Sequence, residues 1–303
     1  MDYRELLLLR AARQTGVLDA LVSTAGTPAE VAEQAGVSER AAEATVGALV
    51  DLGFLQWVGG GVEPTNRLLG FITKTDVRSV GSLPRKLDVV DALVDLPAAM
   101  RSGKVPEFGV DEETRLRNRL GAAAARPDAE VRAAVTAAVR EHPDAESVLV
   151  VGDDAGQHAV EFAQRGFDVA FRHEAAVVDS LRPLLAPEPV ELVPGNVTDP
   201  VDADADLVLL PHALCTRSEA DARDLLAAAC ESAAEDGVVV TVDRFGSDPA
   251  LTAELLATTE AGAVREQSTV IEWFVEAGLA DAATTNVPGT RYGVVAGRRR
   301  AVQ

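Results

Sequence analysis

From residue 147 to about residue 297 the chain alternates short apolar runs with helix-like segments, and this alternation most narrows what it can fold into. The first run, Ser147–Val151, passes into a turn carrying Gly152 and Gly156 and then into a helix reaching about Arg165. Strands follow at Asp168–Phe171, Val190–Pro194, Ala205–Leu210 and Gly237–Val242. Helices are expected over about 175–185, 218–234, 249–261 and 269–277. A last pair, about 281–286 and 291–296, is joined at Pro288-Gly289 as an added antiparallel hairpin. Five strand–helix units of this kind predict a Rossmann-like, doubly wound α/β sheet. In such a sheet ligands bind where a strand's carboxyl end meets a helix N-terminus, so the 147–163 stretch marks the crevice.

The N-terminal 78 residues read differently. Apolar positions from Leu6 to Leu21 form a helical stripe broken near Thr15-Gly16. Thr27, Pro28 and Glu30 form a capping box for a helix over about 28–35. Ser38 caps a longer helix that Gly53 ends. Phe54–Val58, Gly59-Gly60-Gly61 and Val62–Pro64 read as a two-stranded wing, and the order predicts a winged-helix domain. Its presumptive recognition helix offers Arg40 against Glu39 and Glu43, so DNA binding is not expected and dimerisation is. Trp57 is expected in the core or at that interface. Residues 79–144 read as an all-helical bridge with a helix from Leu83 towards Met100, then helices over about 113–125 and 130–141. The expected domains are therefore 1–78, 79–144 and 145–303.

Charge bears on partners. The chain carries 48 acidic and 28 basic residues, a formal charge of −20, and residues 145–303 hold 27 acidic against 11 basic. With lysine only at 74, 86 and 104, this acidity suits a halophile's acidic proteome, where salt screens self-repulsion over roughly 3 Å. No basic stripe tracks phosphates, and Arg298-Arg299-Arg300 is expected to be a solvated tail. Cys215 and Cys230 form no framework, the four histidines and two cysteines show no metal-ligand spacing, and no metal is expected. There is no signal-peptide n-region and no apolar run of membrane-spanning length, so a cytoplasmic protein is expected.

Several motifs together carry a resemblance. Gly16–Leu21, Thr27–Glu33 with Gly36-Val37, Leu52–Leu55, Arg101–Lys104, Glu272-Trp273-Phe274 and Ala277-Gly278-Leu279 recur in order and spacing. The chain resembles, over nearly its whole length, the small-molecule O-methyltransferases that use S-adenosylmethionine (SAM) and carry an N-terminal winged-helix dimerisation domain. The resemblance implies a homodimer that moves a methyl group from SAM to a hydroxyl of a small molecule.

Position by position the match is uneven. Against the family's D-x-G-G-G-T-G loop stands Val150-Val151-Gly152-Asp153-Asp154-Ala155-Gly156: both outer glycines match, and two aspartates replace glycines. Asp153 is expected either to meet the methionyl ammonium or to cap a helix with its carboxylate facing solvent. Where the family places its ribose-binding acid the chain has Arg172, a donor-only group, so Glu174 is the candidate. Asn196, after Gly195, takes the adenine-side position. The family's catalytic histidine position is Cys215, with His212 three residues earlier as a displaced base and Arg217 in place of a tryptophan. His158, just inside the glycine-loop helix, is a weaker base candidate that covers the adenosyl pocket or faces solvent, and Asp243 is either a substrate contact or a surface loop acid. Two other readings stand beside the enzyme: a non-catalytic descendant acting as a dimeric binding or scaffold protein, and a winged-helix regulator that senses a metabolite.

Overall fold

The computed structural model describes residues 2–23, 25–72, 77–107 and 109–300. The chain divides into two compact units, Met1–Val94 with Phe108–Ala122 and Asp95–Glu107 with Ala123–Gln303.

The first unit opens with α1 (Tyr3–Gln14) and α2 (Val17–Ser23), separated by Gly16 at φ +76°. The capping box fixes the start of α3 (Pro28–Ala35): Thr27 Oγ1 accepts the Glu30 N–H, and the Glu30 carboxylate accepts the Thr27 N–H. Helix α4 (Glu39–Asp51) is capped by Ser38 and leads into the antiparallel pair β1 (Leu55–Val58) and β2 (Gly61–Pro64). Then follow α5 (Asn66–Ile72), α6 (Val77–Val80) and α7 (Leu83–Val94). Leu9, Leu18, Val31, Val46, Phe54 and Leu87 belong to its continuous core. Trp57, expected inside or at an interface, is 56% exposed on β1.

The helix expected to run from Leu83 towards Met100 is two helices, α7 and α8 (Leu96–Ser102), the latter in the second unit. Pro97 explains the break, since its ring clashes with helical backbone before it and it offers no N–H to continue the ladder. Next come α9 (Glu112–Ala124), mostly in the first unit, and α10 (Asp128–Glu141) in the second.

The second unit is organised on a seven-stranded sheet. Its elements are β3 (Ser147–Val151), α11 (Gln157–Gln164), β4 (Asp168–His173), α12 (Ala175–Leu185), β5 (Glu191–Pro194) and β6 (Ala205–Pro211). They continue as α13 (Glu219–Ser232), β7 (Ala233–Asp243), α14 (Pro249–Thr258), α15 (Gln267–Glu276), β8 (Leu279–Asn286) and β9 (Gly293–Arg299). The order is β5-β4-β3-β6-β7-β9-β8, with the first five strands parallel and β9 antiparallel to both of its neighbours. Strands β3 and β6, buried on both faces, read as the continuous apolar runs that a helix-covered parallel strand requires. The chain leaves β3 towards β4 and later crosses back to β6, so the switch point lies between their carboxyl ends. Arg298 and Arg299 are not a solvated tail. They end the interior strand β9, with Arg298 donating to the Asp236 carbonyl and Arg299 to the Glu231 and Ala233 carbonyls.

Candidate functional site at the sheet switch point

Strand β3 ends at Gly152, φ +77°, and the turn closes at Gly156, φ +66°, the residue before α11. Both angles suit glycine, and a side chain at Gly156 would press on Leu185 at 2.9 Å. Between them Asp153 is 2% exposed, against the expectation of a solvent-facing acid. Its Oδ1 accepts the Ala155 N–H (3.3 Å), and its Oδ2 accepts the His158 N–H (3.0 Å) and lies 2.9 Å from His158 Nδ1. The first-turn N–H groups of a helix have no intrahelical partner, and a carboxylate there is favoured by the helix dipole. Burial raises this carboxyl's pKa, but His158 and Arg126 outweigh it and hold it well below the usual range. Asp154 lies beside His173, with Oδ1 3.3 Å from Nε2.

At the end of β4, Arg172 does not face a ligand. Its Nε and Nη2 donate to the Asn196 carbonyl (3.2 and 2.9 Å) and Nη1 to the Pro194 carbonyl (3.0 Å), tying the ends of β4 and β5. Any side chain at Gly195 would collide with that guanidinium. Glu174 stands at the N-cap of α12, about half exposed, and pairs with His173 Nδ1. Burial raises its pKa, yet the His173 hydrogen bond and charge, helped by Arg217, bring it down to about 2. Burial lowers the His173 pKa, and Asp154 and Glu174 more than reverse this, leaving it raised. Asn196 is exposed, its Oδ1 accepting the Thr198 N–H at 3.3 Å.

Beyond β6 the base candidates separate. Cys215 is 8% exposed beside Asp243, whose Oδ2 accepts the Leu214 and Cys215 N–H groups at 3.1 Å each. Burial first, then the neighbouring carboxylate, pushes the thiol pKa far up, so Cys215 is a hydrogen-bond donor here. Asp243, at 2% exposure, braces this loop and is not a surface acid. Arg265 completes the frame, donating to the Leu214 and Arg217 carbonyls (2.9 and 2.8 Å). Arg217 donates to the Ala213 carbonyl (2.5 Å), and its Nη2 lies 3.7 Å from where a Gly152 side chain would begin.

His212 takes a left-handed backbone, φ +54°, at the turn out of β6. A non-glycine residue there stores about 1 kcal/mol of strain. Its ring lies 5.8 Å from that of His158 and 4.4 Å from that of Tyr292, whose hydroxyl is 3.4 Å from Glu130 Oε2. His158 is fully buried, not solvent-facing. Among the described residues His158 Nε2, His212 Nε2 and Arg126 Nη1 are buried with no hydrogen-bond partner. Burial, then the Arg126 charge, depresses the His212 pKa well below the ordinary histidine value. The structure thus gathers Asp153, His158 and His212, leaves Cys215 buried beside Asp243, and adds Arg126, Arg217 and Tyr292. Of these three the sequence marked only Arg217, as a departure from a pattern.

No protein-family model matches the chain, and no curated protein matches it. Solved structures do. A structure of PigF with S-adenosylhomocysteine (SAH) superposes with a TM-score of 0.71 at 18% identity, over 98% of this chain and 96% of that one. The mitomycin 7-O-methyltransferase MmcR gives 0.69 at 17% identity, over 98% and 94%. Human N-acetylserotonin methyltransferase in complex with SAM gives 0.66 at 18% identity, over 98% and 94%. At such identities the likeness is one of architecture, and by architecture this chain has the fold of the class I SAM-dependent O-methyltransferases.

Proposed function

We propose that the second unit transfers a methyl group from SAM to a hydroxyl of a small molecule, using the crevice at the carboxyl ends of β3, β4 and β6. One observation carries the reading. The two aspartates that replace loop glycines are both engaged, Asp153 with the first turn of α11 and Asp154 with His173, while the Arg217 guanidinium lies against Gly152. A carboxylate arriving at this turn would meet a cation.

The residues present fit the cofactor through a rearranged set. Gly152 and Gly156 keep the turn, and Arg217 would hold the methionyl carboxylate, replacing the N–H groups that Asp153 occupies. Glu174, ionised and half exposed, is an acceptor suited to two ribose hydroxyls, and Asn196 stands on the adenine side. Bound SAM supplies an already activated methyl group, so the protein's own task is to align the acceptor oxygen and take its proton. Cys215 is unsuited to that, which leaves the imidazoles at the switch point.

The test is methyl transfer from isotope-labelled SAM to a panel of phenols and small alcohols. Labelled ether product is expected, with Arg217→Ala raising the KM for SAM by about tenfold or more, as loss of a charge-assisted bond does. No labelled product with any acceptor contradicts the reading. Arg172 favours the second reading, a non-catalytic binding protein, because a donor already spent on carbonyls stands where the family keeps an acid. For the first unit we propose a winged-helix dimerisation role, supported by Tyr3, Leu7, Trp57 and Val58, large apolar residues left exposed.

A further inference from the structure

We infer that His158, held by Asp153, is the group that receives the acceptor's hydroxyl proton, so that the base has moved from the loop after β6 to the glycine-loop helix. The inference rests on the methyl-transfer reading for the reaction, and on the switch-point geometry alone for hydroxyl binding.

The arrangement begins with the first loop aspartate. Asp153 Oδ2 receives both the backbone N–H of His158 (3.0 Å) and its Nδ1 proton (2.9 Å). Two bonds from one oxygen fix the ring's position and tautomer, and in the neutral ring Nε2 is then a bare acceptor. That atom is buried and unpartnered among the described residues. So is His212 Nε2, on a ring 5.8 Å away. Arg126 Nη1 is a buried donor without a partner, and its charge acts on both Asp153 and His212. Tyr292, Glu130 and Arg244 are further charged or titratable groups around the pair. His158 Nε2 calls for a group that donates and Arg126 Nη1 for one that accepts; a hydroxyl does both, and a thioether or a ketone does not. A buried polar atom without a partner is disfavoured, so a ligand that bonds it is favoured there.

In the reaction the acceptor's O–H bond breaks and its proton passes to His158 Nε2. Nδ1–H stays on Asp153, and the imidazolium faces a carboxylate that compensates its charge. The oxygen's electron pair forms the new O–C bond while the donor's S–C bond breaks and sulfur keeps that pair. The proton later leaves to solvent. Asp153 acts through His158 and is a positioning residue. His212, its pKa depressed, stays neutral and helps to hold the hydroxyl.

The test is titration with phenol, followed through the imidazole ¹⁵N resonances of the whole chain. The expected result is a saturable shift of His158 Nε2 with Nδ1 remaining protonated, and loss of that protonation pattern in Asp153→Asn. A His158 Nε2 resonance that phenol leaves unchanged overturns the proposal, whatever SAM does. In wild-type protein that turns over, His158→Gln should lower kcat by about a hundredfold or more with SAH affinity unchanged, the usual loss for a general base. Asp153→Asn should shift the acid limb of the pH profile. Wild-type kcat in His158→Gln overturns the base assignment while leaving the methyl-transfer reading intact. If His158→Gln does not fold, the wild-type phenol titration decides.

Discussion

Asp153 shows how much a single side chain can redirect. An aspartate in place of a loop glycine reads either as a contact for a ligand ammonium or as a cap whose carboxylate faces solvent. The carboxylate instead serves N–H groups two and five residues downstream together with the His158 ring. Gly152 and Gly156 were legible because a positive φ demands glycine. The direction of Asp153 was not, since it depends on helix N–H donors that exist only once α11 has formed. Its depressed pKa gives stability that is present above the ordinary carboxylate value of 3.8 and lost as pH falls through the folded-state value. Asp153→Asn should therefore be less stable than wild type at neutral pH, by about 2 kcal/mol in urea titrations, with the gap narrowing below pH 3.8. His173 works with the opposite sign. Its raised pKa gives stability that is full below 6.5 and lost as pH rises through the folded-state value. The stability difference between wild type and His173→Gln should shrink on going from pH 6 to pH 9; a difference that grows would contradict the pairing with Asp154 and Glu174.

At the scale of elements, the sequence was most readable where a local rule acts alone. The capping box of α3, the Gly16 break between α1 and α2 and the apolar runs of β3 and β6 each follow from residues adjacent in the chain. Long-range pairs carried no such signal. Asp88, 1% exposed on α7, accepts from Arg13 Nη1 of α1 (2.9 Å) and from Asn118 Nδ2 of α9 (2.8 Å). Nothing in the spacing of residues 13, 88 and 118 announces this joint. Arg13 keeps its pair with Asp91, but buried Asn118 Nδ2 loses its acceptor, so Asp88→Ala should destabilise the first unit by about 2 kcal/mol, as read by calorimetric unfolding. The loop after β6 was misread for the same reason. Cys215 aligns with a base position, but burial and the charge of Asp243, 28 residues on, push its thiol pKa far up.

At the scale of the whole molecule, the alternation of runs and helices fixed the sheet, while no residue pattern could say which side chains meet at its switch point. Net charge is a property of this scale too. With −20 spread over 303 residues, self-repulsion opposes compactness until salt screens it. The thermal midpoint should accordingly rise as KCl is added towards molar concentrations, and a midpoint indifferent to salt would contradict the halophilic reading. No described helix is long and apolar enough to cross a membrane. Sedimentation should show a dimer that Trp57→Asp weakens. The rebuilt loop, with Arg217 in place of helix N–H groups, should still accept the cofactor. Isothermal calorimetry with SAH in high-salt buffer tests it directly. The account predicts saturable heat at one ligand per chain, weakened in Arg217→Ala; the absence of saturable heat with both SAH and SAM would contradict it.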